Sequence, residues 1–145
     1  MKIEDKSLFD KENIFGLGKE NVEYSDYFIG KSYINPLTSL DKTTLFMANV
    51  TFEPSCRNNW HIHHAKNGGG QILICTAGEG WYQEDGKEPV SLVAGNVITI
   101  PANVKHWHGA KKDSWFSHIA VEVSGEDTYN KWLEPVDDEY YKTLK

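Results

Sequence analysis

Trp60-His61-Ile62-His63-His64-Ala65-Lys66-Asn67-Gly68-Gly69-Gly70-Gln71, or WHIHHAKNGGGQ, holds three of the chain's six histidines and a run of three glycines. His61 and His63 share a parity. On a strand both imidazoles leave one face, about 7 Å apart along the chain, near enough to share a metal ion. His64 has the other parity and belongs to the connection. Gln71 opens the apolar run QILICTAG, so it reaches the same interior if that run pairs antiparallel with His61-Ile62-His63. The glycines suggest a mobile turn. A phosphate cradle would need a following Lys-Ser or Lys-Thr and a helix, and neither follows.

The remaining histidines lie downstream. His106 and His108, in KHWHG, repeat the two-residue spacing, and His118 sits in WFSHIAVEV with the parity of Ala120. A single strand histidine is usually a satisfied core or surface residue. Two pairs on separate strands point to a metal site. Trp60, Trp107 and Trp115 neighbour histidines with opposite parity, which makes them packing or interface residues.

Around these segments the chain reads as all-β. YFIGKSYI, TTLFMANVTF, QILICTAG, EGWYQED, VSLVAG, VITIP and WFSHIAVEV are short and rich in β-branched and aromatic residues. Turn signals part them at Asn35-Pro36, Glu53-Pro54, Gly78-Glu79-Gly80, Asp85-Gly86 and Ala94-Gly95-Asn96. Asp85-Gly86 marks a hairpin. Residues 1–26 read as a polar arm with a short helix, 27–124 as a β-barrel, and 125–145 as a helical tail broken at Pro135, with Asp137 capping its second part.

The chain has 145 residues, 39% of them hydrophobic, which suits one domain with its own core. Its net charge of -6, with no basic block, argues against nucleic acid and anionic membrane as partners. The amino terminus lacks the apolar stretch of a signal peptide, and no run suits a membrane helix. A cytoplasmic protein with Cys56 and Cys75 as free thiols is expected.

These residues resemble the cupin superfamily. Its first motif has His-x-His, then an acid or glutamine, then six residues and a glycine; here His61-Ile62-His63, Gln71 and Gly78. Its second has a glycine, five residues, Pro-x-Gly, two residues and a histidine; here Gly95, Pro101-Ala102-Asn103 and His106. The two motifs span about half the chain. Ser55 stands for the usual opening glycine, Asn103 for the glycine of the second motif, and HAKNGGG makes the His-to-Gln spacing longer. KHWHGA and TAGEGWYQ are similar to small single-domain bacterial cupins. Among these are cupins associated with carboxymuconolactone decarboxylase-like domains and the manganese-dependent cupin hydroxynitrile lyases.

The resemblance implies a double-stranded β-helix (jelly-roll) barrel and a metal held by His61, His63, Gln71 and His106. His118 and His108 match further active-site histidines. Manganese is the implied metal, with iron, zinc, nickel or cobalt as alternatives that the same donors accept. Three imidazoles and an amide bring no charge, so a divalent ion there would act as a strong Lewis acid. The implied activity is lyase chemistry on a small hydroxylated or carbonyl compound, of the hydroxynitrile lyase type. A metal-dependent dioxygenase or isomerase, a non-catalytic small-molecule or metal binder, and a metal-free structural protein stand as alternatives. A homodimer is expected, because Trp107, Ile119 and Val121 face away from the histidines and need cover.

Overall fold

The structure is a computed structural model covering residues 1–145. Fourteen strands run through it: β1 (Lys19–Glu20), β2 (Phe28–Ile29), β3 (Ser32–Pro36), β4 (Phe46–Phe52), β5 (Arg57–Asn58), β6 (His61–His64), β7 (Asn67–Gly68), β8 (Gln71–Glu84), β9 (Val90–Val93), β10 (Val97–Ile100), β11 (His106–Ala110), β12 (Phe116–Glu122), β13 (Gly125–Glu126) and β14 (Tyr129–Trp132). Two short helices, α1 (Lys6–Glu12) and α2 (Asp138–Thr143), flank them.

One long strand joins the two faces of the barrel. The first half of β8 pairs with β12 and β10, and its second half pairs with β11 and β9. The Gly78-Glu79-Gly80 signal is therefore a bend within a continuous strand, not a turn between two strands. Gly78 makes the bend feasible: its φ is +71°, and a Cβ there would stand 1.7 Å from the Trp115 carbonyl oxygen. On one face the strands run β1-β3-β4-β12-β8. On the other, β11 lies between β8 and the pair β5 and β6, and β14 closes the edge against β6. All these ladders are antiparallel, as expected for an all-β jelly roll.

Alternation decides what fills the interior. Leu73 and Cys75 point inward from β8, Phe52 from β4, and Phe116 and Ala120 from β12, joining Leu92 and Ile100 in one buried cluster. Gln71 shares the parity of Leu73, and Glu122 that of Ala120. The inward rows of β8 and β12 thus end in polar side chains that are register partners.

The Asp85-Gly86 hairpin is present between β8 and β9, with Gly86 at φ +76°. Ser55 and Asn103, which replace motif glycines, both take left-handed φ, 71° and 67°. Helix α1 forms within the amino-terminal segment, capped by Asp5, and seats Phe9 on Trp115 at 5.2 Å.

Three expectations change. Tyr129–Trp132 is a strand, so the tail is helical only over Asp138–Thr143, where Asp137 does accept from Tyr140 N. The side chains of that stretch suit an edge strand, and β6 offers the partner that turns them to ladder bonds rather than helical ones. The glycine loop is tied down: β7 pairs with β13, Lys66 and Asn67 bind Glu126, and Asn103 Nδ2 donates to Ala65 O at 2.9 Å. Finally, Trp107 already has cover from its own chain. It lies wholly buried with Val136 and Tyr141, and the Arg57 guanidinium sits 4.0 Å over the Tyr141 ring.

Candidate metal centre

Strand β6 delivers His61 and His63 on one face, both buried, and β11 brings His106 opposite His61. The three histidines present ligand atoms all within 4.8 Å of one another. Gln71 arrives by another route than antiparallel pairing with β6. Strand β6 pairs with β11 and β14, whereas Gln71 enters from the opposite sheet beside β12. The curl of the barrel, not strand adjacency, brings it to the cavity that His61 and His63 line.

Hydrogen bonds set which atoms remain free. His61 Nδ1 donates to Asn59 O at 2.8 Å, and His106 Nδ1 to Val104 O at 2.9 Å. Each ring is left with Nε2 as its lone pair, the usual way a protein fixes the tautomer of a ligand. His63 Nε2, His106 Nε2 and Gln71 Oε1 are buried with no hydrogen-bond partner. Each such atom costs about 1–3 kcal/mol unless something binds it. Burial, reinforced by the neighbouring imidazoles, holds His61 well below the ordinary histidine range, and burial lowers His106 to about 4. Both rings are therefore neutral at pH 7, as metal ligation requires. Three unpartnered donor atoms and neutral imidazoles fit a divalent transition metal.

Glu122 escaped the sequence reading. Its Oε1 accepts from Gln71 Nε2 at 2.8 Å, and its Oε2 lies 3.2 Å from His63 Nδ1, outside hydrogen-bond alignment. The donor set is thus not without nearby charge. The available signal was parity, since Glu122 lies two and four residues beyond the inward positions Ala120 and His118. Trp132 was missed because its segment read as helix; it stacks on Tyr27 at 4.8 Å and packs at a tilt against His61 at 4.7 Å.

His108 and His118 stand apart from the three histidines. His108 lines the cavity, and Asn58 Oδ1 accepts from its backbone N at 2.9 Å. That bond turns the Asn58 amide nitrogen toward the His108 ring, 3.2 Å from Nε2. His118 is fully buried behind it, its Nε2 3.1 Å from His108 Nδ1, and does not line the cavity. Burial pushes His118 down to about 3. His64 lies outside the cluster, stacked on Tyr129 at 4.6 Å.

The cavity has a volume of about 900 Å³. His61, His63, Gln71 and His108 form its polar end, and Val22, Ile34, Leu40 and Val50 line much of the rest. A cupin domain model matches residues 48–121, about half the chain.

The chain belongs to the cupin family.

This cupin is similar to a curated (R)-mandelonitrile lyase of Granulicella tundricola, 37% identical over 119 residues, covering 81% of this chain and 88% of that protein. It is also similar in structure to a cupin-like protein from Thermotoga maritima, with TM-score 0.76 and 36% identity, covering 90% of this chain and 96% of that one. A cupin 2 conserved barrel domain protein from Rhodopseudomonas palustris shares the fold, at TM-score 0.64 and 13% identity, covering 86% of this chain and 80% of that one. No helix of this cupin is long and apolar enough to cross a membrane.

Proposed function

We propose that this cupin is a metal-dependent lyase that cleaves small cyanohydrins, or closely related hydroxylated compounds, to a carbonyl compound. One observation carries the reading: Nε2 of His63 and Oε1 of Gln71 are buried without partners at the polar end of a large cavity, and the equally unpartnered Nε2 of His106 lies against His61 and His63. The likeness to a mandelonitrile lyase supports the substrate class. His61, His63, Gln71 and His106 would hold the ion, and manganese is favoured over iron, zinc, nickel or cobalt. The bound ion would supply positive charge that steadies the substrate oxygen.

The chain's own groups do the rest. His108 faces the cavity and, neutral through burial, accepts the substrate's hydroxyl proton. As the carbonyl forms, the carbon–carbon bond breaks and its electron pair leaves with cyanide. The proton then passes from His108 to cyanide, giving hydrogen cyanide. Asn58 and His118 keep the His108 ring in place. The apolar wall receives the substrate's hydrocarbon part and excludes water.

Manganese-loaded protein should release benzaldehyde from mandelonitrile faster than free manganese does, and His108→Ala should lose that activity while keeping its metal. A rate no higher than free metal overturns the lyase reading, and leaves oxygen-dependent cleavage, isomerisation or non-catalytic binding. The proposal extends to a homodimer. Ile119, Ile74 and Val97 form a cross-strand row on the outer face of β12, β8 and β10, and Ile74 and Val97 are exposed.

A further inference from the structure

Two of the proposed metal donors lean on one side chain. Glu122 Oε1 accepts from Gln71 Nε2 at 2.8 Å, and Glu122 Oε2 stands 3.2 Å from His63 Nδ1. For His61 and His106 the corresponding Nδ1 is taken by a backbone carbonyl. His63 has no such carbonyl; the Glu122 carboxylate stands beside its Nδ1 instead, without an aligned hydrogen bond. The consequence for Gln71 is equally specific. An amide has one ligating end, and a free amide can turn either its oxygen or its NH2 toward a metal. With the nitrogen bound by Glu122, the oxygen is the end left over, and it is the buried atom without a partner. A carboxylate only accepts, so Glu122 fixes the Gln71 N–H by a hydrogen bond and favours the His63 Nδ1–H by its charge, 3.2 Å away though out of hydrogen-bond alignment.

We propose that Glu122 is a positioning residue of the metal site, selecting the ligating atoms of His63 and Gln71 and placing one negative charge beside an otherwise neutral donor set. The inference rests on the metal-binding part of the functional reading. The fold supplies the contact through β-ladder register: Glu122 on β12 and Gln71 on β8 are direct partners, both on the inward face. The Glu122 side chain is 36% exposed. It borders the main cavity and a second, smaller one of about 330 Å³. Its role is therefore separable from core packing.

The test compares wild type, Glu122→Ala and Glu122→Gln, each stripped by chelator and titrated with Mn2+ or Co2+ against a competing chelator. The alanine variant should bind on the order of ten- to a hundredfold more weakly, the usual effect of removing a residue that orients a ligand. Glutamine should fall between, since its one carbonyl oxygen can accept from only one of the two groups. The visible absorption of the cobalt-loaded protein should change in both variants, while the metal-free melting temperatures match wild type. Affinities within about twofold of wild type, with an unchanged cobalt spectrum, overturn the proposal. So does a lower metal-free melting temperature with unchanged affinity, the signature of a merely structural residue. Those results leave the metal site itself standing; a wild type that binds neither ion removes both.

Discussion

At the residue scale, one layer of burial separates His108 from His118. His108 lines the cavity, and His118 touches it only through the His108 ring. A side chain so enclosed also makes the molecule acid-sensitive. The His118 pKa is pushed from an unfolded value near 6.5 down to about 3. Above pH 6.5 the ring is neutral in both states and contributes no pH dependence. Below it the unfolded chain binds a proton that the folded chain refuses, so stability falls by about 1.4 kcal/mol per pH unit until the folded value is reached. Urea unfolding of metal-free protein at pH 7 and pH 5.5 should show that loss added to those of His61, His106 and His108, which burial also lowers, and His118→Gln should remove about one histidine's share of the difference. An unaltered difference in the variant would assign the acid sensitivity to other groups. Parity already placed His118 inward. The depth at which it sits follows from Phe116, two residues back on the same strand, and Phe52, far away in sequence, which close around it.

At the element scale, the carboxy-terminal segment is the clearest departure from local pattern. Tyr129–Trp132 forms ladder bonds to β6, with Asn130 opposite His63 and Trp132 opposite His61. Nothing within NKWL announces that partner, because edge pairing is decided by what the barrel leaves open. Helix α2 was legible through its Asp137 cap, yet what it covers was not. Tyr141 packs on Trp107 beneath Arg57, and its hydroxyl donates to Ala110 O at 2.7 Å. Tyr141→Ala should cost about 3 kcal/mol, from the lost packing and the unsatisfied carbonyl, and should shift Trp107 emission to the red. Chemical denaturation followed by tryptophan fluorescence measures both. The glycine loop shows the same logic in reverse. Its composition suggests mobility, and Asn103 with the β7–β13 ladder restrains it.

At the scale of the whole molecule, the curl of β8 through both sheets is what assembles the site. It sets Gln71 and Glu122, from one sheet, beside His61, His63 and His106, from the other. The same curvature turns the row Ile119–Ile74–Val97 outward. Two copies joined through that row would double the 16.5 kDa mass of the chain. Light scattering at micromolar concentration should report the doubled mass, and replacing Val97 with glutamate should return it to the single-chain value. A single-chain mass for the wild type would show that the row stays open to water.

The sequence by itself determined the strand-rich architecture and the inward face of each strand, because a two-residue period is a local property. Through His-x-His, Gln71 and the His106 segment it also pointed to the candidate metal centre. Tertiary structure decided which strands meet and which atoms stay free. It put the Glu122 carboxylate beside His63 Nδ1 and in a hydrogen bond with Gln71, and set His118 behind His108. The carbonyl bonds of His61 and His106 are local, each reaching two residues back, but Glu122 meets Gln71 across 51 positions, and its contact with His63 is as remote. Those remote distances depend on bend, register and twist accumulated over the whole barrel, and no local window of sequence carries that sum.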